Sequence, residues 1–348
     1  MTTAFRTGGD PFGTHRSLTP AGVLPQQAEV LDTSLPIYAN ELLIDVETLN
    51  VDAASFHQLK TQTGSEEGVA VDMLGIIGKR GKMHNPVTGS GGMLIGRLKQ
   101  KGPAYHGPLH ADVGDRVATL VSLTLTPLKL DRIKKVLMHA DQVEVEGHAI
   151  LFESGIAARL DGSLPDRLAL AILDVAGAPA QMARLVRPGM TVGVLGTGKS
   201  GLLCLAQARH SLAGAGRVLA LDNNPSGPEA AVKLGYADEA ILVDAKKPLE
   251  VHAAVHKATK GMMCDLVVNT VNVPGTEMAT VLSARQGGRA YFFNMATNFQ
   301  AVALGAEGLA RDVECLMGVG YAPGHAEWAL NLVKREKGLR QLLEARFT

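Results

Sequence analysis

Cysteine is scarce in this chain. Three occur in 348 residues, Cys204, Cys264 and Cys315, each far from the others. Such spacing leaves no disulfide framework and no C-x-x-C zinc lobe, and it suits a reducing compartment, the cytoplasm. Net charge is missing too, because 34 basic and 34 acidic residues cancel. That balance offers nothing to nucleic acid or to an anionic membrane. No apolar run approaches the ~18 residues of a membrane span. The opening stretch, MTTAFRTGGDPFGTHRSLTP, lacks the apolar centre of a secretion signal. Internal repeats and low-complexity tracts are absent, and the N-terminal ~30 residues are expected to wrap loosely. What is present is an ordinary hydrophobic content of 46 % in a chain long enough for about two domains of ~100–200 residues each.

The two halves read differently. In the first, LLIDVETL (42–49) alternates apolar and polar residues. GVAVDMLGIIG, GGMLIGRL, GDRVATLVSL and GHAILFE are short apolar runs bounded by Gly, Asp or Pro. Together they predict a small twisted β barrel or sandwich. Composition changes near residue 163. SLPDRLALAILDVAGAPAQMARLV predicts helix, with Pro165 suited to a first turn and Pro179 dividing it. Beyond it, TVGVL (191–195), RVLALD (217–222), EAILVD (239–244), DLVVNTV (265–271) and RAYFFN (289–294) alternate with helical stretches near 199–213, 226–235, 248–259 and 274–284. That order predicts a parallel sheet covered by helices on both faces, an α/β domain. The tail from GHAEWALNLV onward is a closing amphipathic helix with a break expected at Gly338. The domains are therefore placed at 1–165 and 166–348.

GVLGTGKSG (193–201) fits two nucleotide-binding patterns at once. From Gly193 it is G-x-x-x-x-G-K-S, a loop for ATP or GTP phosphates; from Gly196 it is G-x-G-x-x-G, a turn for the diphosphate of NAD. The first needs the strand to end before Gly193. Pro188-Gly189 is a turn signal, so only Met190–Val192 would remain, short against a usual ~5–6 residues. The second lets the strand run through Leu195. Asp222 ends the next strand, 21 positions after Gly201. A carboxylate about 20 residues on accepts hydrogen bonds from the ribose of NAD and repels the extra phosphate of NADP. The dinucleotide reading is adopted. Gly196 then makes the tight turn, Gly198 admits the diphosphate, and Gly201 lets the helix pack on the sheet, with Thr197, Lys199 and Ser200 between them. Asn223 follows the ribose carboxylate. Asn269, Thr270 and Val271 end the fourth strand, and Asn294 and Met295 end the fifth. Carboxyl ends of such strands line the ligand crevice, so these residues either meet the ribose and carboxamide or serve as strand-end turns.

A second Gly-rich stretch, GKMHNPVTGSGGMLIG (81–96), holds His84 and Asn85. Alone it reads as a loop with a structural histidine. A β-rich domain, then DVGDRV (112–117), then a late dinucleotide unit resembles the medium-chain dehydrogenase/reductase superfamily. That resemblance implies an N-terminal GroES-like catalytic domain, a C-terminal Rossmann domain and a homodimer. Met83-His84-Asn85 stands where the superfamily carries Gly-His-Glu, so His84 is implied to face the nicotinamide. The zinc-dependent members place a cysteine near NVDAASFHQL (50–59) and a further ligand near AILDVAGA (171–178). The first stretch has none and the second has only Asp174, so no metal is expected. HNPVTGSGGMLIG, GDRVATLVSLTLTPL and GVLGTGKSGLLCLAQAR are similar, more narrowly, to the L-erythro-3,5-diaminohexanoate dehydrogenase family. This implies NAD-dependent oxidative deamination of a diamino acid to a 3-oxo acid with release of ammonia.

Amine oxidation suits a metal-free site. An alcohol needs its developing alkoxide stabilised, as zinc does, whereas an amine needs a free lone pair and surroundings that favour an iminium cation. His84 is the first candidate for acid–base work or substrate positioning. Asn85 holds water or the amine, or serves a turn. Glu153 is a base or ammonium partner, or a solvated strand end. Asp174, amid apolar neighbours, is a partner to the site or an internal cap, since an unpaired carboxylate there is costly. Arg97, Arg159 and Lys82 are candidates for the substrate carboxylate, and Tyr105 and His106 for the pocket wall. A zinc-independent reductase of enones or ketones and a non-enzymatic NAD sensor are the competing readings.

Overall fold

The computed structural model describes residues 4–347, without the side chains of residues 53 and 54. Contacts divide the chain into two units, Met1–Asp166 and Arg167–Thr348.

The first unit begins with a short ribbon, β1 (Ser17–Thr19) and β2 (Val30–Leu31). β3 (Leu42–Val51) is followed by two helices, α1 (Ala53–Thr63) and α2 (Glu66–Arg80). Then come β4 (Gly92–Lys101), β5 (Arg116–Thr119), β6 (Leu128–Leu137), β7 (Gln142–Leu151) and β8 (Ala157–Arg159). The six later strands form one antiparallel sheet in the order β6-β7-β3-β4-β5-β8. Leu42, Ile44, Val46 and Leu49 of β3 share a core with Phe56 and Leu59 of α1 and Val69, Met73 and Ile77 of α2.

Two expectations fail in this unit. The run GVAVDMLGIIG is not a strand but the body of α2. Ser65 caps the helix by accepting from Gly68 N at 3.0 Å, Glu66 and Glu67 lie at its positive end, and Gly81 closes it at φ +63°. Its buried residues recur every four positions, so the run's helical stripe, not its length, decides the outcome. The N-terminal segment is not loose either. Arg16 is fully buried and forks onto the buried Glu41, Nε–Oε1 2.6 Å and Nη2–Oε2 2.7 Å, while His15 Nε2 lies 2.8 Å from Oε1. Charges out of water demand such two-pronged pairing.

The second unit opens with α3 (Asp166–Leu173) and α4 (Gly177–Leu185). It continues as β9 (Thr191–Leu195), α5 (Lys199–Leu212), β10 (Arg217–Asp222), α6 (Ser226–Lys233), β11 (Glu239–Leu242), α7 (Pro248–Ala258), β12 (Cys264–Asn269), α8 (Glu277–Ser283) and β13 (Ala284–Phe292). α9 (Phe299–Gly308), β14 (Val313–Met317), α10 (His325–Arg335) and α11 (Lys337–Phe347) close it. The sheet is parallel throughout, in the order β11-β10-β9-β12-β13-β14. This is the doubly wound Rossmann order, with β9 and β12 flanking its switch point. Val192, Val194, Leu219, Leu221, Val267 and Val268 are all essentially inaccessible, as strands covered on both faces require.

The helical pair divides at residues 174–176, before Pro179, which fits the first turn of α4. The closing helix breaks at Glu336, and Gly338 lies inside α11, where a Cβ would collide with Leu234. β14 carries no strand signal in the sequence, because it is a largely exposed edge strand without a long apolar run. Among the described residues no single helix is long and apolar enough to cross a membrane.

Candidate dinucleotide site and the loop of residues 84–92

β9 reaches Leu195, so the chain turns at Gly196 and α5 starts three residues later. Gly196 has φ +91°, and a Cβ there would press within 2.8 Å of Thr270 Oγ1 and 2.9 Å of Val271 Cγ2. Gly201 packs its Cα against the carbonyl of Gly196, leaving no room for a side chain. Gly198 differs: a Cβ on it would meet nothing within 4 Å. The turn is thus closed at Gly196 and Gly201 and open at Gly198, the residue before α5 begins. These residues fit a diphosphate, and a side chain at Gly198 would fill the space it needs.

Asp222 ends β10 beside this turn. Its Oδ2 accepts from Thr197 N at 2.6 Å and Thr197 Oγ1 at 2.7 Å, and its Oδ1 accepts from Asn224 N at 3.1 Å. A crevice of about 210 Å³ lies at the strand ends. It is lined by Leu195, Asp222, Asn223, Val243, Asp244, Ala245, Lys246, Val271, Val273 and Thr276. Three valines and an alanine offer a slot for a flat ring, with carboxylates at its rim for hydroxyl donors.

The other strand-end residues have different tasks. Asn269 is fully buried. Its Nδ2 donates to Thr276 Oγ1 at 2.9 Å and Thr280 Oγ1 at 2.8 Å, and its Oδ1 accepts from Val271 N. Thr270 Oγ1 donates to the carbonyls of Leu195 and Gly196. Both side chains hold the crevice wall together from behind, and only Val271 of the three lines it. Asn294 Oδ1 accepts from Ala296 N and Thr297 Oγ1, a strand-end turn, and Met295 projects into solvent at 94 % exposure. Ser200 is half-buried in the first turn of α5. Asp174, expected in an apolar setting, is half exposed and pairs with Lys199, Nζ–Oδ2 2.7 Å. The turn between α3 and α4 carries it outward to that partner.

In the first unit the stretch singled out by sequence is a compact loop. Asn85 is buried, donating to Gln58 Oε1 at 2.8 Å and accepting from Val87 N, so its role is to shape the turn. His84 is half-buried, and its Nδ1 is a buried atom with no partner among the described residues. Burial, followed by the charges of Lys82 and Arg80, pushes its pKa below the ordinary value. Glu153 accepts from Asn40 Nδ2 at 3.2 Å. The candidate cations are engaged elsewhere. Lys82 is buried and donates to the carbonyls of Pro25 and Ala28, Arg97 pairs with Glu47, and Arg159 pairs with Asp115. Tyr105 is buried, accepting from Leu109 N.

One cluster escaped the sequence. Ser55 Oγ, fully buried in α1, lies 2.5 Å from Thr88 Oγ1 and 2.6 Å from Ser90 Oγ, and Ser90 Oγ donates to Asp52 Oδ1 at 3.0 Å. Three hydroxyls from two segments thus form a chain ending on a carboxylate. No spacing rule links residues 52–55 to 88–90, so the cluster exists only in the folded chain.

An N-terminal β-rich unit followed by a C-terminal Rossmann unit is a fold this chain shares with solved dehydrogenases and reductases. An alcohol dehydrogenase from Thermotoga maritima aligns over 90 % of this chain and 88 % of its own, with a TM-score of 0.56 at 15 % identity. A mycobacterial quinone oxidoreductase aligns over 98 % and 94 %, with a TM-score of 0.56 at 18 % identity. The family model described as the L-erythro-3,5-diaminohexanoate dehydrogenase N-terminal domain matches residues 15–161. L-erythro-3,5-diaminohexanoate dehydrogenase from Acetoanaerobium sticklandii is 46 % identical over 338 residues, 97 % of this chain and 98 % of that one. Its namesake from Fusobacterium nucleatum is 45 % identical over 336 residues, 96 % and 97 %. The chain belongs to the L-erythro-3,5-diaminohexanoate dehydrogenase family. It is an oxidoreductase whose Rossmann unit takes a nicotinamide cofactor.

Proposed function

We propose that this enzyme oxidatively deaminates L-erythro-3,5-diaminohexanoate to 5-amino-3-oxohexanoate and ammonia, with NAD as the acceptor. The full-length likeness to two dehydrogenases of that name carries the substrate assignment. Asp222 supports NAD over NADP: its Oδ1 faces only one backbone N–H, leaving it room for a ribose hydroxyl, and its charge opposes a 2′-phosphate.

When bound, the nicotinamide supplies hydride acceptance from the carbon bearing the amine. The protein's tasks are proton transfers, and the loop of residues 84–92 is suited to them. A depressed pKa keeps the His84 imidazole neutral near pH 7, able to take the proton that frees the amine lone pair. Asp52 and its hydroxyl chain offer a second path for a proton as water adds to the iminium and ammonia departs. Anionic and neutral groups suit that cation better than a metal would. The reading is extended to a cytoplasmic homodimer. Its three thiols are free, and among the described residues β14, one of the two edge strands of its sheet, pairs with β13 alone, which leaves its outer side for a second copy.

The test is direct. Purified protein with NAD and the diamino acid should produce NADH and ammonia in equal amounts, and light scattering should report twice the chain mass. Turnover of an enone or ketone with no response to the diamino acid would replace this reading with that of a zinc-independent reductase.

A further inference from the structure

Lys199 is the first residue of α5, directly after Gly198, and Asp174 sits in the turn joining α3 to α4. Their charged atoms are 2.7 Å apart, with a quarter of the lysine side chain and half of the aspartate exposed. An ion pair this wet adds little to folding, so stability does not account for it. Its location does. The pair is anchored at the residue next to Gly198, where the glycine turn passes into α5 and a Cβ at Gly198 would meet open space. A diphosphate seated on the first turn of α5 would bring two negative charges to an ammonium already held by a carboxylate.

We propose that Asp174 and Lys199 form a charge-exchange latch that sets how firmly the dinucleotide is held. Lys199 passes from Asp174 to the diphosphate when the cofactor enters, and Asp174 draws it back when the cofactor leaves. Asp174 is a positioning residue, acting only through Lys199. The consequence is greatest for the reduced cofactor, which has lost the positive charge of its ring and leans more on Lys199. Asp174 then favours its release. This inference rests on the dinucleotide reading of the site.

Fluorescence titration of the wild type and variants with NADH at low ionic strength tests it. Lys199→Met should raise Kd about tenfold, and Lys199→Arg should restore most of the loss, as charge-assisted contacts at this range require. Asp174→Asn should lower Kd about three- to tenfold. In the Lys199→Met background Asp174→Asn should change nothing, because its route is gone. High salt should shrink the difference between the wild type and Lys199→Met. Adenosine, which has no diphosphate, should bind all variants alike. The latch is overturned if Asp174→Asn leaves Kd unchanged or weakens binding, if it shifts Kd equally in both backgrounds, or if adenosine binding moves with it. A wild type that binds neither NADH nor NADPH would instead remove the dinucleotide reading itself.

Discussion

Asp222 Oδ2 accepts two hydrogen bonds from one residue, Thr197, through its backbone N and its Oγ1, at 2.6 and 2.7 Å. The carboxylate therefore holds the glycine turn, and in the proposed function it has a second, separable task, facing the ribose. Asp222→Asn keeps an oxygen for Thr197 and removes the charge, so it should narrow the preference for NAD over NADP while leaving thermal stability near wild type. Asp222→Ala loses both tasks. It should lower stability by about 1–3 kcal/mol, since Thr197 is buried and left unpaired, and weaken both cofactors. Comparing kcat/KM for NAD and NADP beside melting curves checks the separation. Equal loss of stability in both variants would refute it.

Gly198 and Gly201 should fail in different ways. A methyl group at Gly201 meets the backbone of Gly196, so Gly201→Ala should cost about 1–3 kcal/mol of stability. A methyl group at Gly198 meets open space. Gly198→Ala should therefore melt like the wild type and bind NADH at least tenfold more weakly, because the methyl occupies the place of the diphosphate. Normal NADH affinity in Gly198→Ala would move the diphosphate elsewhere.

His84 should shape the acid limb of the rate profile. Its pKa is depressed, so the neutral imidazole persists below its ordinary value near 6.5, and activity should hold until the pH falls past that point. His84→Ala should lose about 10²–10⁴-fold in kcat, and Asp52→Asn a substantial part of that, with NADH Kd unchanged in both. An unaltered acid limb in His84→Ala would return the residue to a structural role.

Lys82 links stability to pH. Its buried ammonium donates to the carbonyls of Pro25 and Ala28, and burial, with the charge of Arg80, lowers its pKa from 10.5 to about 8. Between about pH 8 and the unfolded value near ~10.4, the unfolded chain binds more protons, so this group's contribution to stability rises with pH across that window. Lys82→Met should abolish that slope, and it should cost about 1–3 kcal/mol at neutral pH by stranding two carbonyls. Urea unfolding from pH 7 to 10 provides the measurement, and parallel wild-type and variant curves would count against it.

The sequence alone determined the Rossmann unit, because its signals are local. TVGVL and RVLALD coincide with β9 and β10, and a turn, a helix start and an acid-ended strand are each written within a few residues. Tertiary structure decided what depends on pairing across distance. Helical burial claimed GVAVDMLGIIG for α2, where a short apolar run by itself suited strand equally well. Asn269 and Thr270, chemically fit for a ribose, were drawn inward to satisfy buried neighbours. Asp174 met Lys199, and Asp52 met Ser90, only because separate segments folded onto one another. Backbone patterns report which element forms; they carry no record of which polar side chain the finished fold will leave free.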